Sequence, residues 1–253
     1  MFGIEDRERA RDHVLALAET DPRIVGAAVV GGLAEGAGDR WSDLDLTFAV
    51  DDAVPVAEVL ADWTRAVADE LAGAHLFDVA AGAAIYRVFL LPGCLQVDLS
   101  FSPASQFGAR GPRFRLLFGS AVELPQPAPK SADERFGLGV HHALRARFSI
   151  ERGRPWQAQH WIGGVREQTL ALACRRLGLE GAHVRRADDL PPEVLEPLSD
   201  TLVRSIEPDE LRRALRSAVE GLLRESVDAS GLAGRVEAQL LELAGSPGSQ
   251  SSR

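Results

Sequence analysis

GGLAEGAGDRWSDLDL, residues Gly31 to Leu46, connects two apolar runs of the chain. The run before it, Ile24 to Val30, consists of β-branched and small apolar residues, which is typical of a buried strand. The run after it, Leu44 to Val50, alternates acidic and apolar residues before it becomes fully apolar, which predicts a second strand. The quoted stretch is therefore a loop between two strands, with a glycine pair at one end and two aspartates at the other.

The two aspartates of this stretch, Asp43 and Asp45, lie two positions apart, so strand periodicity places both carboxylates on one face. Two carboxylates held this close raise each other's pKa unless a cation lies between them. Mg²⁺ is suited to that position because it prefers carboxylate and phosphate oxygens. At the other end of the loop, Gly31 and Gly32 carry no Cβ, so their backbone N–H groups can approach phosphate oxygens. The stretch predicts a site for a metal ion and a phosphate group.

A third carboxylate, Asp98, lies alone among apolar residues in LQVDLSF, on a strand that we expect near the centre of the sheet. A buried carboxylate is costly without a cation or a hydrogen-bond network. Two metal ions about 4 Å apart can bridge three carboxylates and hold both the attacking and the leaving oxygens of a displacement reaction. We therefore predict that Asp43, Asp45 and Asp98 share a two-ion site.

The rest of the first half predicts a small sheet with helices. Helical spacing marks residues 5–19 and 56–71, and strand-like runs occupy residues 76–80, 85–91 and 94–101. The last two runs are joined by Pro92-Gly93, a tight-turn signal that predicts a hairpin.

The second half predicts helices. PQPAPK, residues 125–130, has the composition of a linker, and Ser131 and Glu134 have capping-box spacing at the start of a helix that ends near Glu151. Further helices are predicted at residues 156–177, after the prolines at 191–192 and 208, and around 236–243. We predict an α+β fold, with an N-terminal mixed-sheet domain (1–124), a C-terminal helical bundle (131–245) and a disordered tail (246–253).

The Gly31–Leu46 stretch resembles the signature of the DNA polymerase β-like nucleotidyltransferase superfamily, which is Gly-Ser or Gly-Gly, a short loop and then Asp-x-Asp. The resemblance includes Gly36 in the loop and the run from Ser42 to Leu46, and it is closest to the antibiotic nucleotidyltransferases, of the aminoglycoside and lincosamide type. In architecture it covers the first half of the chain, and a helical second domain is also typical of those enzymes. Gly32 departs from the pattern, because many relatives have Ser at this position.

This resemblance implies a metal-dependent enzyme that transfers an NMP group, AMP from ATP, to a hydroxyl of a small acceptor. Gly31, Gly32 and Ser42 would bind the nucleoside triphosphate, and Asp43, Asp45 and Asp98 would hold two Mg²⁺ ions in a cleft between the domains. Two alternatives stay open. The acceptor can be a partner protein, as in antitoxin-like enzymes, or the chain can be a noncatalytic nucleotide-binding module, which Gly32 makes conceivable.

The composition of the chain argues against several other classes of protein. The 253 residues carry a formal net charge of -9, which argues against broad nucleic-acid binding and favours a cationic acceptor. No stretch approaches the roughly 18 to 20 apolar residues that cross a bilayer, and the charged N-terminus lacks the apolar core of a signal peptide. Cys94 and Cys174 match no metal-ligand spacing, so we interpret them as reduced residues of a cytoplasmic protein.

Weaker candidates lie outside the two motifs. Glu167 can act as a base or an anchor for the acceptor, or it can be an ordinary surface charge or a partner of Arg166. Three arginines that follow the Asp98 strand can contact phosphates or lie in a solvated loop: Arg110, Arg113 and Arg115. Trp156 and Trp161 can line an acceptor pocket or pack between helices, and the adjacent His141 and His142 fit packing better than metal binding.

Overall fold

The computed structural model describes residues 1–36, 38–126, 128–179 and 184–245. The chain divides into two compact units, Met1–Pro127 and Ala128–Arg253. The first unit holds the strands of a mixed sheet and two helices, and the second unit is helical, which confirms the predicted α+β class. The predicted disordered tail, 246–253, lies outside the described residues.

Six strands form the main sheet of the first unit, in the order β3-β4-β5-β2-β1-β7. Strands β2 and β5 are parallel and all other neighbours are antiparallel, so the sheet is mixed as predicted. The strands are β1 (Ile24–Val30), β2 (Leu44–Val50), β3 (Ala74–Ala81), β4 (Ala84–Leu91), β5 (Leu95–Pro103), β6 (Gly108–Ala109), β7 (Phe114–Phe118) and β8 (Val122–Glu123), of which β6 and β8 form a separate two-stranded sheet.

One face of the main sheet carries the core of this unit. Helices α1 (Ile4–Thr20) and α2 (Val56–Leu71) pack on that face, against the alternate apolar residues of β2 and β5. Phe48 of β2 contacts Trp63 of α2 and Phe101 of β5, with ring centroids 4.8 and 5.3 Å apart. Because successive side chains of a strand alternate between faces, the acidic residues of β2 and β5 are left on the opposite face.

The predicted elements of the first unit are present, with one addition to the main sheet and with the two short strands β6 and β8 besides. The bounds of β1, β2 and α2 agree with the sequence prediction, and β4 and β5 form the predicted hairpin through Pro92-Gly93. The addition is β7, which pairs antiparallel with β1 at the edge of the sheet. Arg115 lies on this strand and not in a solvated loop.

The second unit packs its helices around a core of small and aliphatic side chains. The Ser131 hydroxyl accepts from the Glu134 N–H and the Glu134 carboxylate accepts from the Ser131 N–H, so the predicted capping box is present. The last helix begins at Ser230, earlier than predicted, because Ala233 is buried in the core and holds the glycine-containing first turns. The helices are α3 (Ala132–Glu151), α4 (Pro155–Arg176), α5 (Pro192–Ser199), α6 (Pro208–Arg224) and α7 (Ser230–Gly245).

Within the described residues, no helix is both long enough and apolar enough to cross a membrane.

Candidate active site

Three carboxylates come together on the sheet face opposite the core. Asp45 of β2 lies directly beside Asp98 of β5 in the parallel register, and Asp43 immediately precedes β2. One carboxylate oxygen from each of the three residues lies within 4.8 Å of the other two. Asp43 is exposed, whereas Asp45 and Asp98 are half-buried. The structure thus brings together the three aspartates that the sequence predicted would share a site.

The spacing of these oxygens fits a divalent cation. Mg²⁺ binds oxygen ligands at about 2.0–2.1 Å, so two oxygens on one ion are at most about 4.2 Å apart. The observed limit of 4.8 Å is close to that span, and a small side-chain movement brings the three carboxylates into range. Two ions about 4 Å apart would fit the same carboxylates, since each carboxylate has two oxygens. The donor set consists only of hard oxygens, which suits Mg²⁺.

The electrostatic environment of Asp98 also favours a cation. Burial raises the pKa of Asp98, a hydrogen bond from the Gln96 amide lowers it, and the negative charge of Asp43 raises it. The Gln96 Nε2 donates to Asp98 Oδ1 at 3.0 Å and fixes the position of that oxygen. A cation among the carboxylates would stabilise their ionised forms by direct attraction.

The glycine pair differs at its two positions. Gly31 has φ +72°, and a Cβ on it would collide with the Asp45 carboxylate, so the absence of a side chain at Gly31 lets this carboxylate lie where it does. None of the described residues has an atom within 4 Å of the position that a Cβ on Gly32 would occupy. The two residues begin a short 3₁₀ turn, Gly31–Glu35, that leads away from the end of β1.

The loop that carries Asp43 is held by a buried arginine. Arg7 of α1 is 4% exposed, and its Nη1 donates to Asp39 O at 2.6 Å and to Ser42 O at 2.9 Å. The Ser42 hydroxyl accepts from the Asp39 N–H at 2.9 Å and donates to Asp39 Oδ1 at 3.1 Å. The predicted triphosphate ligand Ser42 therefore stabilises its own loop, and its contact with a nucleotide stays a prediction.

Sequence reasoning missed both Arg7 and Gln96. One arginine on an amphipathic helix has the pattern of a solvated charge, and its two acceptors lie 32 and 35 residues away. Gln96 carried a local signal, because it lies two positions before Asp98 and strand periodicity puts both side chains on one face.

Of the weaker candidates, the three arginines at 110, 113 and 115 lie in the first unit, and the others lie in the second unit. Glu167 is exposed on α4, and its role stays a prediction. Arg166 donates from Nη1 to Thr201 O at 3.1 Å. Trp156 is 72% exposed, whereas the Trp161 ring lies 4.9 to 6.1 Å from three histidine rings, those of His141, His142 and His160. Within the described residues these histidines do not belong to any metal-binding group of three.

Comparisons with known proteins give similarity at the level of structure. No family model matches the sequence, and no curated protein matches it. The structure is similar to that of an aminoglycoside 6-adenyltransferase from Bacillus subtilis, with 14% identity, a TM-score of 0.40 and coverage of 93% of this chain and 97% of that chain. It is also similar to a nucleotidyltransferase-like protein from Exiguobacterium sibiricum, with 12% identity, a TM-score of 0.40 and coverage of 92% and 80%.

Proposed function

We propose that this chain is a metal-dependent nucleotidyltransferase, which moves an NMP group, AMP from ATP, to a hydroxyl of a small acceptor. The observation that carries the proposal is the convergence of Asp43, Asp45 and Asp98 on one sheet face, beside a glycine that cannot carry a side chain without displacing Asp45. The resemblance of the Gly31–Leu46 stretch to the nucleotidyltransferase signature supports the same reaction.

Asp43, Asp45 and Asp98 would hold Mg²⁺, two ions in the full complex. Bound Mg²⁺ would neutralise the phosphates and polarise the α-phosphorus towards attack. The hydrogen bond from Gln96 would keep the half-buried Asp98 carboxylate in place beside Asp45 of β2. The incoming hydroxyl would approach the other side of this carboxylate. Fixed ligands lower the cost of arranging the reactants in line.

In the reaction, the acceptor hydroxyl oxygen forms a bond to the α-phosphorus. The bond from that phosphorus to the bridging oxygen of the β-phosphate breaks, and pyrophosphate leaves with the electron pair. We assign the hydroxyl proton to Asp98, the half-buried carboxylate of β5 at the centre of the acidic face. Gly31 and Gly32 would offer backbone N–H groups to the β- and γ-phosphates.

The open space at Gly32 supports this placement of the triphosphate. In the described part of the chain, no atom lies within 4 Å of the position that its Cβ would occupy, so phosphate oxygens can approach the backbone. Many relatives have a serine hydroxyl at the position of Gly32, and here backbone N–H groups alone would donate to the phosphates. Glu167 is assigned a secondary role in binding the acceptor or in accepting its proton.

Incubation of the purified chain with α-labelled ATP, Mg²⁺ and a panel of small hydroxylated acceptors tests the proposal. We expect label transfer with stoichiometric pyrophosphate, and its loss by at least about a hundredfold in Asp43→Asn and Asp45→Asn. Asp69→Asn is the matched control, because Asp69 is exposed on α2, which packs on the opposite face. Metal-dependent ATP binding that is unaffected by Asp43→Asn and Asp45→Asn would contradict the assignment of the metal site.

A further inference from the structure

A second polar region continues the carboxylate face along the same strands. Thr47 and Ser100 follow Asp45 and Asp98 by two residues, about 7 Å along each strand, and they pair with each other across β2 and β5. Tyr86 of β4 pairs with Ser100 and extends the row to a third strand. These residues form the floor of a cavity of about 360 Å³ that lies wholly within the first unit.

The floor of the cavity contains hydroxyls without protein partners. Ser100 is 3% exposed and Ser102 is 5% exposed, and both line the cavity. Among the described residues, none forms a side-chain hydrogen bond with either serine hydroxyl. Because both serines line the cavity, their hydroxyls can donate to or accept from a polar ligand that enters it.

The rim of the cavity is cationic. Arg110 and Arg113 come from the segment between β6 and β7, and Gln106 and Gln126 add amide groups. Among the described residues, Arg113 donates from Nε to Glu35 at 3.1 Å and Arg110 makes one long contact to a carbonyl, at 3.5 Å. Within the described residues, no carboxylate lines the cavity. Such a lining suits a ligand with hydroxyls and a negative charge.

The position of the cavity indicates which substrate it would hold. In an in-line displacement the acceptor approaches the α-phosphorus from the side opposite pyrophosphate. The Gly31 turn lies beside Asp45 at the end of β1, and Val30 of β1 and Phe114 of β7 line the end of the cavity next to this turn. The hydroxyl-bearing floor extends from β2 across β5 to β4, away from the turn. If pyrophosphate leaves at the Gly31 turn, the acceptor side is this floor on β5 and β4.

We propose that this cavity binds the acceptor and that the acceptor is a hydroxylated anion, a small sugar-like molecule with a phosphate or carboxylate group. The proposal rests on the nucleotidyltransferase function given above. Ser100, Ser102 and Tyr86 bind its hydroxyls, and Arg110 and Arg113 bind its anionic group. A polycationic acceptor, which the net charge of the chain favoured, would face two arginines in this cavity, of which Arg113 is paired with Glu35 and Arg110 has no paired carboxylate among the described residues.

Calorimetric titration of the full chain, saturated with Mg²⁺ and a nonhydrolysable ATP analogue, tests this assignment. The probes are ribose 5-phosphate, glucose 6-phosphate and gluconate, with ribose as the neutral comparison and an aminoglycoside as the cationic one. We expect at least one of the three anions to bind about tenfold or more tightly than ribose, because hydrogen bonds to a charged group are stronger. The aminoglycoside should not compete with it.

Variants locate the binding in the cavity. Arg110→Gln and Arg113→Gln should each weaken anion binding about tenfold, and Ser102→Ala should weaken it less. Arg115→Gln is the control, since Arg115 pairs with Val29 on the core-side face of the sheet and does not line the cavity. Equal losses in Arg115→Gln and Arg110→Gln would show a general charge effect and overturn the proposal.

Three further results would overturn it: no anion binds, the aminoglycoside binds more tightly, or the ATP analogue displaces the anion. Displacement would assign the cavity to the nucleoside. The same titration in Asp43→Asn separates this inference from the proposed reaction. If the wild-type chain binds the anion through its arginines but transfers no nucleotidyl group to any acceptor, the cavity assignment stands and the proposed reaction is wrong. If the wild-type chain transfers the group to an acceptor whose binding does not depend on Arg110 or Arg113, the reaction stands and the cavity assignment is wrong.

Discussion

Asp45 and Asp98 lie side by side on the parallel strands β2 and β5, in the middle of an otherwise antiparallel sheet. Because the two residues are direct partners in the parallel register, both carboxylates project from the same face of the sheet at the same position along the strands, although the residues are far apart in sequence. The β4–β5 hairpin reverses the chain so that β5 can lie beside β2 in this direction. The topology of the sheet, and not local sequence, therefore creates the acidic site.

Gly31→Ala should weaken metal binding. The new Cβ would collide with the Asp45 carboxylate, so this ligand must move. Gly36→Ala is the matched control, because Gly36 has the same φ of +72° but open space around its Cβ position. Both variants carry the cost of a left-handed backbone, of order 1 kcal/mol. A titration with Mn²⁺ should show at least about a tenfold weaker affinity in Gly31→Ala alone, and equal affinities would contradict the role of Gly31.

Gly32→Val should weaken triphosphate binding without a change in melting temperature. The space around the Gly32 Cβ position is open, so the fold can accept the side chain, but valine would occupy the path of the phosphate oxygens. Gly32→Ser should keep or improve binding, because its hydroxyl can donate to a phosphate. Fluorescence titration with a labelled ATP analogue measures both variants. Unchanged affinity in Gly32→Val would place the triphosphate elsewhere.

The sequence predicted what local patterns encode. β1, β2 and α2 were predicted to the residue because each apolar run is bounded by glycine, proline or charge. β7 was missed because arginines at 113 and 115 made the segment resemble a loop, although its apolar residues complete the sheet edge. The hydrogen bonds from Arg7 to the Asp39–Ser42 loop could not be predicted for another reason, since they depend on the tertiary position of α1.

Stability at low pH should depend on Asp21. Hydrogen bonds from Arg23 lower the pKa of Asp21 to about 2, with a further bond from the Trp63 indole. A carboxylate with a lowered folded pKa contributes stability that is present above its unfolded value, near 4, and is lost as the pH falls towards 2. Urea unfolding from pH 7 to pH 2 should therefore show a loss of about 2 kcal/mol from this group. Asp21→Asn should remove most of that pH dependence, whereas Asp12→Asn, at an exposed position, should not.

Glu167→Gln should alter the acceptor kinetics and leave triphosphate binding unchanged. The substitution keeps the size of the side chain and removes its charge, so any effect reports the charge itself. If Glu167 anchors or deprotonates the acceptor, the acceptor KM rises or kcat falls. Glu193→Gln, on the first turn of α5, is a control at another exposed acidic residue of the same unit. Wild-type transfer kinetics in Glu167→Gln would make it an ordinary surface residue.

Arg7→Met should reduce nucleotidyl transfer by displacing the loop that carries Asp43. The guanidinium of Arg7 holds two carbonyls of this loop, and the second belongs to Ser42, the residue directly before Asp43. Methionine keeps the buried aliphatic volume but removes the donor from both part-buried carbonyls, and a hydrogen bond from a charged group contributes about 1.5–3 kcal/mol. We expect weaker Mn²⁺ binding and a lower kcat, together with a lower melting temperature.

A purely structural role for Arg7 would lower the melting temperature without changing the metal affinity of the molecules that remain folded. Titration with Mn²⁺ well below the melting temperature separates the two roles. Arg7→Lys should restore part of the metal affinity, because an ammonium can still donate to one of the two carbonyls. Arg9→Met is the control on the same helix, since the Arg9 side chain is 69% exposed and pairs with Asp6 at the surface. Metal affinity that is equal in Arg7→Met and Arg9→Met would show that the position of Asp43 does not depend on Arg7.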